Sequence, residues 1–288
     1  MRLVTLRTPQ GLRAALATRD RYIDIAATRP DLPSSVRQIL ELGDGVFSEL
    51  RKLAASESGY SYSPEQVRLA APIPDPEKII CIGLNYRDHA AESGAPIPAE
   101  PVLFSKFSNA IIGPDEPIRL PRVSKEVDYE AELVVVIGKR GRYISEEQAH
   151  HYIAGYTIGH DVSARDWQLR KPGGQWLAGK SFDTFAPIGP ALVTADEIPD
   201  PHSLQIELRL NGQVMQRSNT NQMIFSAERL IAYISQVVTL EPGDLIFTGT
   251  PPGVGFARKP PVFLRPGDLV EIEIERLGIL RNPVISET

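Results

Sequence analysis

The segment Asp128-Tyr129-Glu130-Ala131-Glu132 runs without a break into Leu133-Val134-Val135-Val136-Ile137. An unbroken aliphatic run cannot alternate between core and solvent, so this strand is predicted to be buried on both faces, inside a covered sheet. The side-chain period of a strand is two, which puts Glu130 and Glu132 on one face, about 7 Å apart along the chain. A carboxylate entering a buried strand needs a counter-charge, and a divalent cation is a natural one. Spacing alone does not carry this: Glu271, Glu273 and Glu275 repeat it against Val270, Ile272 and Ile274, where a solvated strand face explains it. The first copy has company, because Asp161 ends the next apolar strand, Tyr156–Asp161, and adds a third acid. All-oxygen ligands favour Mg²⁺, with Mn²⁺ or Ca²⁺ as alternatives, over Zn²⁺ or Cu²⁺.

Other segments read as short strands bounded by Gly or Pro: Lys78–Leu84, Val102–Phe107, Leu245–Thr248 and the strictly alternating Gln205–Leu210. Asn211-Gly212 after the last is a type I′ hairpin signal. Leu-x-Pro-Gly-Asp-Leu occurs at Leu240–Leu245 and again at Leu264–Leu269, one turn-before-strand device used twice. Helices are few. One is predicted over Ser34–Ala55, a short one opens with a capping box at Ser145 and Gln148, and another follows Ser226 with Leu230, Ile231, Ile234, Val237 and Val238 in a stripe. Prolines 72, 74 and 76 make a stiff connector, so a small N-terminal domain (1–71) is expected before a catalytic domain (72–288). The expected fold class is α+β, a β-rich, mixed-sheet roll.

The formal charge of −5 argues against nucleic acid as a partner. No apolar run is long enough to cross a membrane, Arg2 and Arg7 interrupt any apolar leader, and the single Cys81 fits a reducing compartment. Together these give the expectation of a soluble cytoplasmic protein. Gly174–Ser181 matches the phosphate-loop pattern G-x-x-x-x-G-K-S, but neither a strand before it nor a helical stripe after it is present, so nucleotide binding is rejected. His89 and Glu92, three apart, would share a helical face as a general-base pair; an incidental surface pair has the same spacing. His150, His151, His160 and His202 have no useful spacing and read as structural or surface residues. Arg165, Arg170, Lys171 and Lys180 face only Asp166 in sequence, a basic stretch that would answer an anionic substrate.

Taken together, Gly83–Tyr86 with His89 and Glu92, Phe104–Lys106, Asp128–Leu133, Gly159–Asp166, Gly179–Asp183 and Thr248–Gly255 resemble the fumarylacetoacetate hydrolase family. The resemblance implies a mixed β-sandwich roll, usually a homodimer, with Glu130, Glu132 and Asp161 holding Mg²⁺ or Mn²⁺. It implies His89 and Glu92 as the base pair and Lys180 as a catalytic group that stabilises negative charge. Arg165, Gln168, Thr250 and Lys106 are implied as substrate contacts. The small-molecule substrate is expected to be a 2-oxo acid. Metal-dependent hydrolysis of an acylpyruvate or diketo-acid C–C bond is expected first, and decarboxylation of oxaloacetate, or isomerisation or dehydration of a 2-oxo acid, second.

Overall fold

The computed structural model describes residues 1–56, 58–94 and 96–287. Among these, a twelve-stranded mixed sheet runs in the order Ser61–Tyr62, Tyr22–Asp24, Gly11–Ala17, Arg2–Thr8, Ala186–Thr194, Ile153–His160, Ala131–Ile137, Leu245–Phe247, Ile79–Gly83, Val102–Lys106. Arg68–Ala70 and Ile111–Ile112 pair off this path. A five-stranded sheet, Gln213–Asn219, Gln205–Leu210, Leu269–Ile274, Gly278–Ser286 and Ile118–Leu120, packs against its centre. Ala131–Ile137 is buried at every position, as the unbroken apolar run requires, and the two sheets share one core. The fold is α+β and strand-rich. The first 70 residues add strands to the same sheet, through Arg2–Thr8 against Ala186–Thr194.

Local signals mostly act as read. Both Leu-x-Pro-Gly-Asp-Leu copies put their glycine at positive φ, Gly243 at 88° and Gly267 at 92°. In each, the aspartate accepts a backbone N–H three residues back, Asp244 from Glu241 and Asp268 from Arg265. Asn211 and Gly212 take φ of 53° and 80°, the hairpin turn expected. Three readings need correcting. The helix expected over Ser34–Ala55 is two, Val36–Glu41 and Asp44–Ser56, because Gly43 at φ 74° breaks the ladder. Ser145 opens a 3₁₀ turn, Glu146–Tyr152, with no side-chain cap on the backbone. In Ala227–Val237 the core stripe is Leu230, Ile231 and Ile234, while Val237 is exposed.

Candidate active site

Antiparallel register brings the acids together. Ala131 lies opposite His160 and Glu132 opposite Gly159, so Glu130 meets Asp161, whose N–H donates to Glu130 O at 3.0 Å. Gly159 is required there: a Cβ would lie 2.4 Å from Val134 Cγ2. Carboxylate oxygens of Glu130, Glu132 and Asp161 fall within 4.8 Å of one another, all buried. Alternation sends His160 to the opposite face, where it is buried and burial pulls it down to about 3.

Two short helices supply the cations. Arg165 and Gln168 come from Arg165–Arg170, and Lys180 ends Trp176–Lys180. The glycine of the false phosphate loop's Gly-Lys-Ser serves packing, since a Cβ on Gly179 would lie 2.6 Å from the backbone N of Gln168. Lys180 Nζ donates to Glu130 Oε2 at 2.8 Å and Asp161 Oδ2 at 2.7 Å. Arg165 donates to Glu130 Oε1 at 2.6 Å, Asp128 Oδ2 at 2.8 Å and Gln168 Oε1 at 2.8 Å. His89 Nδ1 lies 3.3 Å from Glu92 Oε2, and Gly253 N–H donates to both Glu92 oxygens at 3.0 and 3.1 Å. The two side chains are in contact, and Glu92 is braced by a loop some 160 residues away.

One cavity of about 330 Å³ joins these groups: His89, Glu92, Glu130, Glu132, Arg165, Gln168, Lys180 and Thr250 all line it. A larger cleft of about 680 Å³, around Arg37, Arg51, Arg140 and Asp196, holds none of them. Lys106 is not a lining residue. Its buried ammonium donates to the carbonyls of Val162, Lys180 and Phe185, so its place is behind Asp161 and not on a substrate. Thr250 lines the cavity, but its hydroxyl donates to Ala131 O and accepts from Gln216.

The acids fit a hard cation. Lys106 Nζ is 2.6 Å from Asp161 Oδ1 but also reaches three carbonyls, so that ammonium is shared and does not satisfy the oxygen alone. Glu132 takes one described hydrogen bond, from Gly249 N–H to Oε2 at 2.8 Å. Buried acceptors short of donors beside a third carboxylate form the oxygen set that Mg²⁺ favours. Burial, with Asp161 and Glu130 nearby, pushes Glu132 well above the ordinary 4.5. Burial acts on Glu130 too, but Lys180 and Arg165 outweigh it and hold that carboxyl below its usual range.

This asymmetry has a measurable sign. A raised folded-state pKa at Glu132 stabilises the metal-free protein below the ordinary 4.5 and is lost as pH rises through the raised value, whereas a cation needs the carboxylate ionised. The metal-free melting temperature should therefore fall as pH rises above about 5, with Mg²⁺ stabilisation growing over the same interval. Calorimetry in two buffers of different ionisation enthalpy should register proton release on binding. Equal heats in both would mean that Glu132 is already ionised.

Two supporting residues escaped the sequence reading. Asp128 accepts from Gly255 N–H, Phe256 N–H, Tyr129 N–H and Arg165, tying the Gly253–Phe256 loop to the site. Its signal was present, since Asp128, Glu130 and Glu132 share the period of two. Gln216 had no such signal. A bulge shifts the register, pairing Leu208 with Gln216 but Arg209 with Val214, and so buries both Met215 and Gln216. Gln216 then stands where a strand neighbour of Ala131 is missing: it accepts from Ala131 N–H at 2.8 Å and donates to Thr250 Oγ1 and Pro251 O at 2.9 and 2.8 Å. Because it braces the residue between two carboxylates, Gln216→Leu should weaken Mg²⁺ binding by about 10–100-fold, the usual cost of losing an outer support. Unchanged affinity with a lower melting temperature would reduce Gln216 to a stabilising role.

Comparison with known proteins bears on this geometry. Residues 78–285 match the family model described as fumarylacetoacetate (FAA) hydrolase, C-terminal. An oxaloacetate tautomerase of Xenopus laevis is 53% identical over 289 residues, covering 99% of this chain and 90% of the relative. The 5-carboxymethyl-2-hydroxymuconate delta-isomerase of Mycobacterium smegmatis is 37% identical with a TM-score of 0.80, covering both chains fully. The maleylpyruvate hydrolase of Sphingobium is 31% identical with a TM-score of 0.82, again over both full chains. The cytoplasmic expectation is corrected by the tautomerases of Xenopus laevis, Bos taurus and Homo sapiens, all named mitochondrial. One buried cysteine, and the absence among the described residues of a helix long and apolar enough to cross a membrane, do not discriminate between compartments.

Proposed function

This chain belongs to the fumarylacetoacetate hydrolase family, and on that basis we propose that it interconverts the enol and keto forms of a short 2-oxo acid, oxaloacetate in the first instance. The observation that carries the reading is one small cavity lined by a proton-transfer pair, His89 and Glu92, together with Glu130, Glu132 and two cations, with Asp161 grouped against the two glutamates. The 53% identical oxaloacetate tautomerase supports it above the C–C hydrolysis expected first from the sequence.

A divalent ion on Glu130, Glu132 and Asp161, Mg²⁺ by the hardness of its ligands, would supply Lewis acidity toward the 2-oxo oxygen. The chain's own groups do the rest. Two of the three Lys180 hydrogens are engaged, leaving one, and Arg165 keeps two N–H, enough to orient the substrate's carboxylate head. Gln168 offers its amide N–H beside them. Glu92 engages His89 at Nδ1, so the exchanged proton is carried at Nε2. Toward the keto form that proton goes to C3, the O2–H bond breaks, C2=O2 forms, and the released proton restores the imidazolium through solvent. The homodimer implied by the family is part of this proposal, to be tested by analytical ultracentrifugation.

The test follows enol oxaloacetate by its ultraviolet absorbance while mass spectrometry scores pyruvate. Decay beyond the buffer rate without pyruvate is the expected result; stoichiometric pyruvate would mean decarboxylation. Hydrolysis remains the second reading because the similar maleylpyruvate hydrolase shares the fold. Acylpyruvate turnover in H₂¹⁸O with label in the released acid would move it to first place.

A further inference from the structure

We propose that the same cavity also tautomerises a second substrate class: singly charged 2-oxo acids bearing an aryl group at C3, the arylpyruvates. This rests on the proton-transfer reading above and extends it to the far end of the substrate.

Charge is the first argument. With all four carboxyls ionised, as a bound cation requires, Asp128, Glu130, Glu132 and Asp161 face Lys106, Arg165 and Lys180, an excess of one negative charge in a buried region. A divalent ion turns that into an excess of one positive charge, which a monoanion neutralises and a dianion overshoots. The hydrogens left on Arg165 and Lys180 suffice for one carboxylate head. Among the described lining residues there is no further Lys or Arg for a second.

The second argument is the remaining wall. Phe104, Leu169, Trp176, Val254 and Phe256 line the same cavity, with the Phe104 ring centroid 5.1 Å from Lys180 Nζ. Phe104 and Trp176 meet edge to face, centroids 5.4 Å apart at 73°, the arrangement into which a third ring packs. The position of Trp176 is built: a Cβ on Gly83 would lie 2.8 Å from Trp176 Cζ3, so only glycine seats the indole. Leu169 and Phe256 remain 45% and 44% exposed, large apolar groups that an aryl substituent would cover. The reaction balances without a co-reactant: the O2–H bond breaks, a C3–H bond forms at the benzylic carbon, and the C2=C3 pair becomes C2=O2.

Enol phenylpyruvate and enol oxaloacetate should be followed by ultraviolet absorbance with the Mg²⁺-loaded full chain. Both should decay faster than in buffer. Trp176→Ala should lower kcat/KM for phenylpyruvate about ten- to hundred-fold relative to oxaloacetate, the effect of removing one large apolar contact. Phe104→Leu should shift the same ratio the same way, which keeps the test open if the Trp176 variant fails to fold. Calorimetric titration with phenylpyruvate should show a negative heat-capacity change, weakened in both variants. Acceleration of oxaloacetate alone overturns this inference and leaves the tautomerase reading standing. Acceleration of neither overturns both, and a ratio unchanged in both variants removes the aromatic wall from the argument.

Discussion

Glu132→Ala should abolish measurable Mg²⁺ binding and lower turnover by about 10³-fold or more, since several kcal/mol of charge stabilisation depend on the ion. Glu132 is the most exacting ligand to remove. Glu130 and Asp161 are already neutralised in part by Lys180, with Arg165 on Glu130 and Lys106 on Asp161, whereas among the described residues Glu132 has no ion-pair partner and accepts one hydrogen bond, from Gly249 N–H. Its charge is the one that burial disfavours most plainly and that a cation would secure. Glu132→Gln gives a sharper comparison, because it keeps the volume and an oxygen for Gly249 while removing the charge. Calorimetry with Mg²⁺ decides the matter: retained affinity in either variant would move the ion elsewhere. A metal-free melting temperature held or raised in Glu132→Gln would agree with a carboxyl that is protonated in the metal-free protein.

His89→Ala should cost about 10²–10⁴ in turnover, the usual contribution of a general acid–base group, with Mg²⁺ affinity unchanged. The separation is structural. His89 rides on the helix Arg87–Ser93, none of whose described bonds reaches the three carboxylates, and Glu92 is tied instead to Gly253. Glu92→Gln should produce a smaller loss, because the amide still reaches the ring while its charge is gone. Solvent deuterium exchange at C3 provides a second readout, since a variant that binds substrate yet no longer exchanges has lost proton transfer and not binding. Full activity of His89→Ala on oxaloacetate and phenylpyruvate alike would remove the base from the mechanism.

The supporting groups are coupled to these two. Asn85 donates to Thr248 O and Phe225 O, so one side chain joins the strand before the base helix to the loop facing the carboxylates. Gln216 and Thr250 stand in for a strand beside Ala131. Their removal should therefore loosen both halves of the site together, in contrast to the separable effects at Glu132 and His89.

What the sequence by itself determined is whatever depends on neighbours in the chain. A period of two placed Glu130 and Glu132 on one face, the aliphatic run demanded a covered strand, three-residue spacing paired His89 with Glu92, and two Pro-Gly-Asp steps marked two turns. These follow from backbone geometry that any fold must respect. Only the tertiary structure decided the rest, because the deciding contacts join separate segments: Arg165 to Glu130 is 35 apart, Lys180 to Glu130 is 50, and Glu92 to Gly253 is 161. A bulge carried Gln216 into the core against the local alternation, and carbonyls of three separate residues drew Lys106 behind Asp161 and away from any substrate. The false phosphate loop is the clearest case. Its letters fit an anion site, yet its Gly179 exists to let one short helix lie against another, a requirement that appears only once Gln168 is brought beside it.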